Sequence, residues 1–269
     1  MEKFKVDSKL EILFKNEEWQ IISNGIPLET STKNLFKYYS LTEFNIDALE
    51  NNYFYLSNPK DFNDPFDCSR NLIIENQKEL SDWQYVESLN NNSKVGITCF
   101  SKNGLEPLMW SHYANSYRGF CIKLKPKFVN SANEELIKLK RVIYSNDPKA
   151  ISTQSKFSKY YQLIVKLENW SYEEEWRLLF KNPISVLNKF YYNEDSIEEI
   201  SVGYQFFDVR TEAERKLKER FFKLREGKFK NIPLYTVGPY QTKLELQKLS
   251  LIKGTVDDGL EKIAHLFKK

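Results

Sequence analysis

The sequence predicts an α+β fold, a central mixed or antiparallel sheet with flanking helices, and three observations predict it. Segments with strand-like and helix-like patterning mix along the 269 residues without a regular βαβ alternation. The hydrophobic fraction of 41% includes 19 Phe and 16 Tyr against only 2 Met, a composition that favours a packed aromatic core over disorder. No eighteen apolar residues run together, and Met1 to Gln20 carries a charge every few residues, so neither a secretion signal nor a membrane span is expected. The length suits one domain, with a core at about 35–205, an N-terminal helix over 1–24 and a C-terminal α/β portion over 206–269 packed on it.

In chain order, Leu10, Leu13 and Phe14, followed by Trp19, Ile21 and Ile22, read as an amphipathic helix that ends near Asn24-Gly25. Leu35 to Tyr39 is a short strand. Ser40 and Glu43 then form a capping box, with Tyr39 and Phe44 as its hydrophobic staple, and the helix runs to about Asn51. Tyr53 to Leu56 is a second strand, followed by a turn-rich stretch over Asn58 to Asp67 in which Phe62 and Phe66 anchor the loop to the core. Leu80, Trp83, Val86 and Leu89 recur every three residues and predict a helix over Glu75 to Leu89. Strands are expected at 95–101, 118–124, 142–144, 174–180, 197–202, 234–237 and 244–249. Pro107 fits the first turn of a short helix, and further helices are expected at about 150–167, 209–226 and 256–267.

Cys68, Cys99 and Cys121 are an odd number with no Cys-x-x-Cys pair, which argues for reduced thiols, a cytoplasmic setting and no zinc knuckle. Lys plus Arg exceed Asp plus Glu by only 40 to 37, interspersed along the chain, so charge alone does not announce a nucleic-acid surface.

The segment Trp170-Ser-Tyr-Glu-Glu-Glu-Trp-Arg177 carries the most chemistry. As a strand it points Glu173, Glu175 and Arg177 one way and Glu174, Trp176 and Leu178 the other. Two carboxylates and a guanidinium side by side suit a catalytic site, because repulsion and burial perturb carboxyl pKa values. The bland alternative is a solvated helix on which Glu173 and Arg177 form an ordinary i,i+4 pair. Asp61, Asp64 and Asp67, close together in a loop punctuated by Pro59 and Pro65, could bind a divalent cation or simply close Asx-turns. Cys99 to Ala114 leads from a strand through a loop into a helix start, a place where backbone N–H groups can receive phosphate. There His112, with Cys99, Ser101 and Ser111 nearby, reads as a nucleophilic group or as a neutral histidine bonded in the core.

Taken together, Phe36 to Ser40, Leu56 to Asp67, Cys99 to Ser101, Met109 to Ala114, Gly119-Phe120 and Trp170 to Arg177 resemble the bacterial domain-of-unknown-function family 2971, over roughly residues 35 to 205. That family name implies no activity. A weaker resemblance is to the ADP-ribosyltransferase fold of DNA-modifying toxins, carried by Lys37-Tyr38-Tyr39, the helix after Ser40 and Tyr53 to Ser57. It implies a nucleotide-type substrate, NAD, with nucleic acid or protein as acceptor, in a toxin or anti-phage effector. Glu175 would stabilise an oxocarbenium-like state, Glu173 would hold the acceptor or ribose, and Arg177 would fix the carboxylates or meet phosphate. Lys37, Tyr38, Tyr39, Ser101, Met109, Trp110, His112 and Arg118 would form the NAD-binding surface; Lys37 or a tyrosine stands where that fold often has histidine or arginine.

Two other functions compete with this one. The first is a metal-dependent nuclease or phosphodiesterase using Asp61, Asp64, Asp67 and Glu175 with Mg²⁺. The second is a non-enzymatic nucleic-acid or partner-binding module using the basic helix Arg210 to Lys228. Oligomeric state is open.

Overall fold

The computed structural model describes residues 1–75, 78–79, 95–125, 127–128, 137–181 and 188–250. Strands β1 (Glu2–Lys5), β2 (Leu10–Lys15), β3 (Glu18–Ser23), β4 (Ile26–Pro27) and β5 (Leu35–Tyr39) precede helix α1 (Glu43–Glu50). Then come β6 (Tyr53–Tyr55), β7 (Ile73–Glu75), β8 (Lys78–Glu79) and β9 (Val95–Ser101), helix α2 (Pro107–Tyr113) and β10 (Phe120–Leu124). Next are β11 (Ile137–Arg141), β12 (Ile143–Ser145), β13 (Ile151–Ser152), helix α3 (Ser158–Ile164) and β14 (Val165–Leu167). The remainder is β15 (Glu175–Lys181), β16 (Lys189–Tyr191), β17 (Ile197–Gly203), helix α4 (Glu212–Glu226), β18 (Leu234–Pro239) and β19 (Leu246–Ser250). The mixture of strands and helices is the α+β class that the patterning predicts.

These elements gather into two compact units, each assembled from three separate stretches of chain. The first unit takes Met1–Thr32, Tyr55–Cys99 and Ser131–Phe190; the second takes Lys33–Phe54, Phe100–Asn130 and Tyr191–Lys269.

In the first unit the N-terminal 32 residues are a four-stranded antiparallel meander, not the expected helix. The period was two rather than 3.6. Ile12 and Phe14 on β2, and Trp19 and Ile21 on β3, are buried at alternate positions. The turns decide it: Asn16 and Glu17 have φ of 53° and 63°, and Asn24-Gly25 has 49° and 78°, the left-handed pairs that let two-residue hairpins match strand twist. The aromatic face of this meander closes on α3. Phe157 stacks on Phe4 at 5.5 Å and meets Phe14 at 5.0 Å and Trp19 at 5.3 Å, and burying each such ring stabilises by roughly 1.5–3 kcal/mol. The helix expected at 150–167 is only α3, flanked by β13, which pairs parallel with β7, and β14, which pairs parallel with β12. β11 pairs antiparallel with β15, which in turn neighbours β9.

In the second unit β10 lies antiparallel between β5 and β17, β17 runs parallel to β18, and β18 pairs antiparallel with β19. The cap of α1 is Thr42, whose hydroxyl accepts from the Asn45 N–H, and not Ser40. Phe44 is half exposed and meets the Tyr53 ring edge-on, and with Thr42 as the cap Tyr39 and Phe44 do not stand at the two staple positions. A real side chain would not fit at Gly119, since a Cβ there would stand 2.0 Å from the Tyr39 carbonyl oxygen. The helix predicted from Glu75 begins as the β7–β8 pair, Ile74 opposite Glu79, and its Leu80 to Leu89 portion lies outside the described residues. So does the helix predicted at 256–267.

Candidate functional site

The densest polar arrangement lies within the first unit, and it forms around β15. Alternation along the strand puts Glu175 and Arg177 on one face. Glu173 does not belong to that strand: it closes a 3-10 turn over Glu168–Glu173. Between them Glu174 takes the left-handed conformation, φ 43° and ψ 49°, which costs a non-glycine residue about 1 kcal/mol. Glu173 and Glu175 nevertheless meet at one cation. Lys166, on β14, places Nζ 2.6 Å from Glu173 Oε2, 3.4 Å from Glu175 Oε2 and 3.6 Å from Asp67 Oδ2.

Arg177 completes the cluster with all five of its donors. Nε donates to Glu175 Oε1 at 2.7 Å, and Nη2 donates to Glu175 Oε2 at 3.1 Å and Asp67 Oδ2 at 2.6 Å. Nη1 donates to Asp67 Oδ1 at 2.9 Å and to the Leu163 carbonyl at 2.7 Å. The Phe62 ring covers the guanidinium at 5.2 Å, and the Trp170 ring lies 4.7 Å from Lys166 Nζ. Each of the five charged side chains is 5% exposed or less. Tyr144 adds a polar neighbour, its hydroxyl accepting from the Glu175 N–H at 2.8 Å.

Burial alone would raise the Glu175 carboxyl; the Arg177 guanidinium, and then Lys166, outweigh it and hold the group well below the usual carboxylate range. Burial works to lower Lys166, and the Glu175, Glu173 and Asp67 carboxylates reverse that and raise it. The Cys68 thiol, 3.6 Å from Arg177 Nη1, is raised by its burial, which makes it a poor nucleophile. Counted at their ordinary charges, Asp67, Glu173 and Glu175 exceed Lys166 and Arg177 by one negative charge. The arrangement is thus a largely dehydrated centre in which carboxylates outnumber cations by one, not the solvated i,i+4 pair that was its alternative.

All eight residues of the expected NAD surface belong to the second unit. The polar groups of Tyr38, Ser101 and Trp110 secure the loop between β9 and α2. Tyr38 donates to the Asn103 carbonyl at 2.7 Å, Ser101 Oγ donates to the same carbonyl at 3.0 Å, and Trp110 Nε1 donates to the Gly104 carbonyl at 3.0 Å. The Tyr38 ring meets Trp110 edge-on at 5.3 Å, and Tyr39 stacks on Phe120 at 4.9 Å. Met109 is buried, and Lys37 lies 5.6 Å from the ring centroids of Tyr39 and Phe100. His112 is exposed on α2, which corrects its reading as a core histidine. Arg118 is buried, with Nη1 on the Asp208 carbonyl at 3.2 Å and Nη2 3.3 Å from the Asp208 carboxylate.

Sequence reasoning missed Lys166. Its signal was present, a single cation in the otherwise uncharged run Tyr160-Tyr-Gln-Leu-Ile-Val-Lys-Leu167, where a buried charge demands partners. It also gave Asp67 to a metal. Asp67 instead commits both oxygens to Arg177, Asp61 is exposed, and among the described residues no group of three or more His, Cys, Asp or Glu side chains is arranged to hold a metal ion. The basic helix α4 spends part of its charge on acidic partners and on packing. Arg215 pairs with Glu212 and Glu219, Arg220 with Glu43 and Glu50, and Lys218 is buried on the Asp208 carbonyl. Leu217 and Phe221 are buried beneath them. No helix among the described residues is long and apolar enough to cross a membrane, and no disulfide joins Cys68, Cys99 or Cys121.

The family model described as "Protein of unknown function (DUF2971)" matches residues 109–178, which bears out the family resemblance over roughly a quarter of the chain. The match begins within α2, at Met109, and ends just after Arg177, so it includes Lys166, Glu173, Glu175 and Arg177. No curated protein and no solved structure matches the chain.

Proposed function

We propose that the buried acidic centre of the first unit is the chemical site of an NAD-cleaving or ADP-ribosyl-transferring enzyme, acting as an effector in bacterial conflict or phage defence. One observation carries this reading: the excess negative charge held in a dehydrated cluster by Glu173, Glu175 and Asp67 against Lys166 and Arg177. When the bond between the ribosyl C1′ and the nicotinamide nitrogen breaks, its electron pair leaves with nicotinamide and the ribosyl carbon becomes oxocarbenium-like. A net-acidic site of low dielectric stabilises that cation more than it stabilises neutral groups. Water or an acceptor hydroxyl or amine then bonds to C1′ and gives its proton to a carboxylate or to solvent.

Within the site Glu175, ionised by Arg177 and Lys166, supplies the fixed negative field. Glu173 sits at the end of its turn rather than on the strand, and we assign it the ribose or acceptor contact. Arg177 acts by fixing carboxylates: its five donors are committed to protein oxygens, which favours the first of the two roles open to it.

The purified chain, incubated with NAD alone and with DNA, RNA or protein acceptors, is expected to release nicotinamide and to do so equally in EDTA. Glu173→Gln and Glu175→Gln are each expected to lower the rate by about 10²–10³, the scale of losing one preorganised electrostatic contact. Melting curves establish that the variants are folded. Absence of turnover together with no NAD-dependent rise in the melting temperature would overturn the reading; activity abolished by EDTA would favour the metal-dependent alternative.

A further inference from the structure

Asp64 lies in the turn Asp64–Asp67, three residues before the aspartate that binds Arg177. The Asp67 N–H donates to the Asp64 carbonyl at 3.1 Å, and the Phe66 N–H donates to Asp64 Oδ1 at 2.9 Å. The Asp64 residue is 7% exposed, yet its other carboxylate oxygen, Oδ2, is buried and has no hydrogen-bond partner. Five other buried side-chain atoms share that condition, on Asn52, Thr98, Tyr192, Ser196 and Thr236, but these are amide or hydroxyl oxygens. Asp64 is the carboxylate among them, and an ionisable oxygen without a donor carries the largest penalty. Next to it the fold does the opposite with an aromatic ring. Phe66, expected to anchor the loop as Phe62 does, is 55% exposed. One short turn therefore withholds a donor from a buried acid and leaves a large apolar face in water, and a single bound molecule would correct both.

We propose that the Asp64–Asp67 turn is a ribonucleoside subsite, in which Asp64 Oδ2 accepts one ribose hydroxyl and Phe66 stacks on the base. The single unpartnered oxygen sets the stoichiometry: Oδ1 is committed to the Phe66 N–H, so one sugar hydroxyl, not a chelated diol, is read. Stacking on Phe66 tolerates any base, since every base offers a π face. This subsite deepens the NAD reading by adding a nucleoside contact beside the acidic centre, and it rests on that reading for its choice of ligand.

The test is equilibrium binding of NAD and ADP-ribose, and separately of adenosine, 2′-deoxyadenosine and 3′-deoxyadenosine, to the full chain by calorimetry. Asp64→Asn keeps the shape of the side chain and is expected to weaken ADP-ribose about 10- to 150-fold, the scale of a hydrogen bond to a charged group. Phe66→Leu, at an exposed position that should not affect folding, is expected to weaken it roughly tenfold. One of the two deoxyadenosines should bind as weakly to the wild type as adenosine binds to the Asp64→Asn variant. Wild-type binding of ADP-ribose unchanged by both substitutions would overturn the subsite while leaving NAD cleavage standing, and would mean that a buried water satisfies Asp64. Adenosine binding that depends on Asp64 and Phe66, with no NAD turnover and no NAD-dependent rise in the melting temperature, would support the subsite and sink the NAD reading. Absence of any nucleoside binding would overturn the subsite.

Discussion

Two regions of this molecule were expected to share one chemistry, and they handle their polar side chains in opposite ways. Around β15 of the first unit, charged side chains turn to one another: Lys166 and Arg177 distribute their donors among Asp67, Glu173 and Glu175, and only the Leu163 carbonyl is drawn in from the backbone. In the loop before α2 of the second unit, Tyr38, Ser101 and Trp110 all donate to backbone carbonyls at Asn103 and Gly104. The first arrangement carries a heavy desolvation penalty and adds little that a packed apolar core could not supply. The second carries a small one and holds a loop in place. Stability alone does not account for the heavily penalised arrangement, which makes the cluster the better candidate for chemistry.

The sharpest way to break the comparison is Arg177→Leu. It strands three buried carboxylates with only Lys166 beside them, and a loss of about 3–5 kcal/mol is expected from urea unfolding. If the loss is below about 1 kcal/mol, the range of an exposed pair, the cluster is not dehydrated as described. The next effect is the pH dependence of the same measurement. Glu175 is depressed in the folded protein, so its contribution is present above the ordinary glutamate value of 4.5 and is lost as pH falls below it. Lys166 is raised, so its contribution is complete below 10.5 and is lost only as pH rises further. Stability should accordingly fall on acidification below pH 4.5, and the slope should flatten in Glu175→Gln. A smaller effect is expected from Tyr38→Phe, about 1 kcal/mol, since it deletes one neutral hydrogen bond and Ser101 still donates to the Asn103 carbonyl. If nicotinamide release from NAD falls with Tyr38→Phe as steeply as with Glu175→Gln, the contrast between the two regions collapses. The smallest effect belongs to Arg215→Ala on α4, within about 0.5 kcal/mol, because its partners Glu212 and Glu219 are half exposed and screened.

The legible parts of the sequence were those with one dominant pattern. β5, β9, β10, β15, β17 and β18 stand close to where alternation and β-branched or aromatic residues put them, and α4 follows its 3.6 period from the Thr211 cap. The N-terminal meander failed because Leu10, Leu13 and Phe14 satisfy a helical spacing as readily as Ile12, Phe14, Trp19 and Ile21 satisfy a strand spacing, and the Asn16 and Asn24 turns were the arbiter. The cluster was half legible. Alternation joined Glu175 to Arg177, whereas the meeting with Lys166 and Asp67 depends on tertiary placement that no local spacing encodes. Glu173 joined them through the left-handed turn at Glu174, which a strand pattern cannot anticipate.

The division of the chain into interleaved stretches has a consequence for synthesis. The first unit takes its last stretch from Ser131–Phe190, and the second still needs Tyr191 onward. While a ribosome is making the chain, Asp67 is therefore in place well before Lys166 and Arg177 exist, and the acidic centre cannot close until Arg177 has cleared the exit tunnel. A message broken anywhere upstream of that point yields polypeptide in which neither unit is whole, so a truncated product would carry no assembled centre.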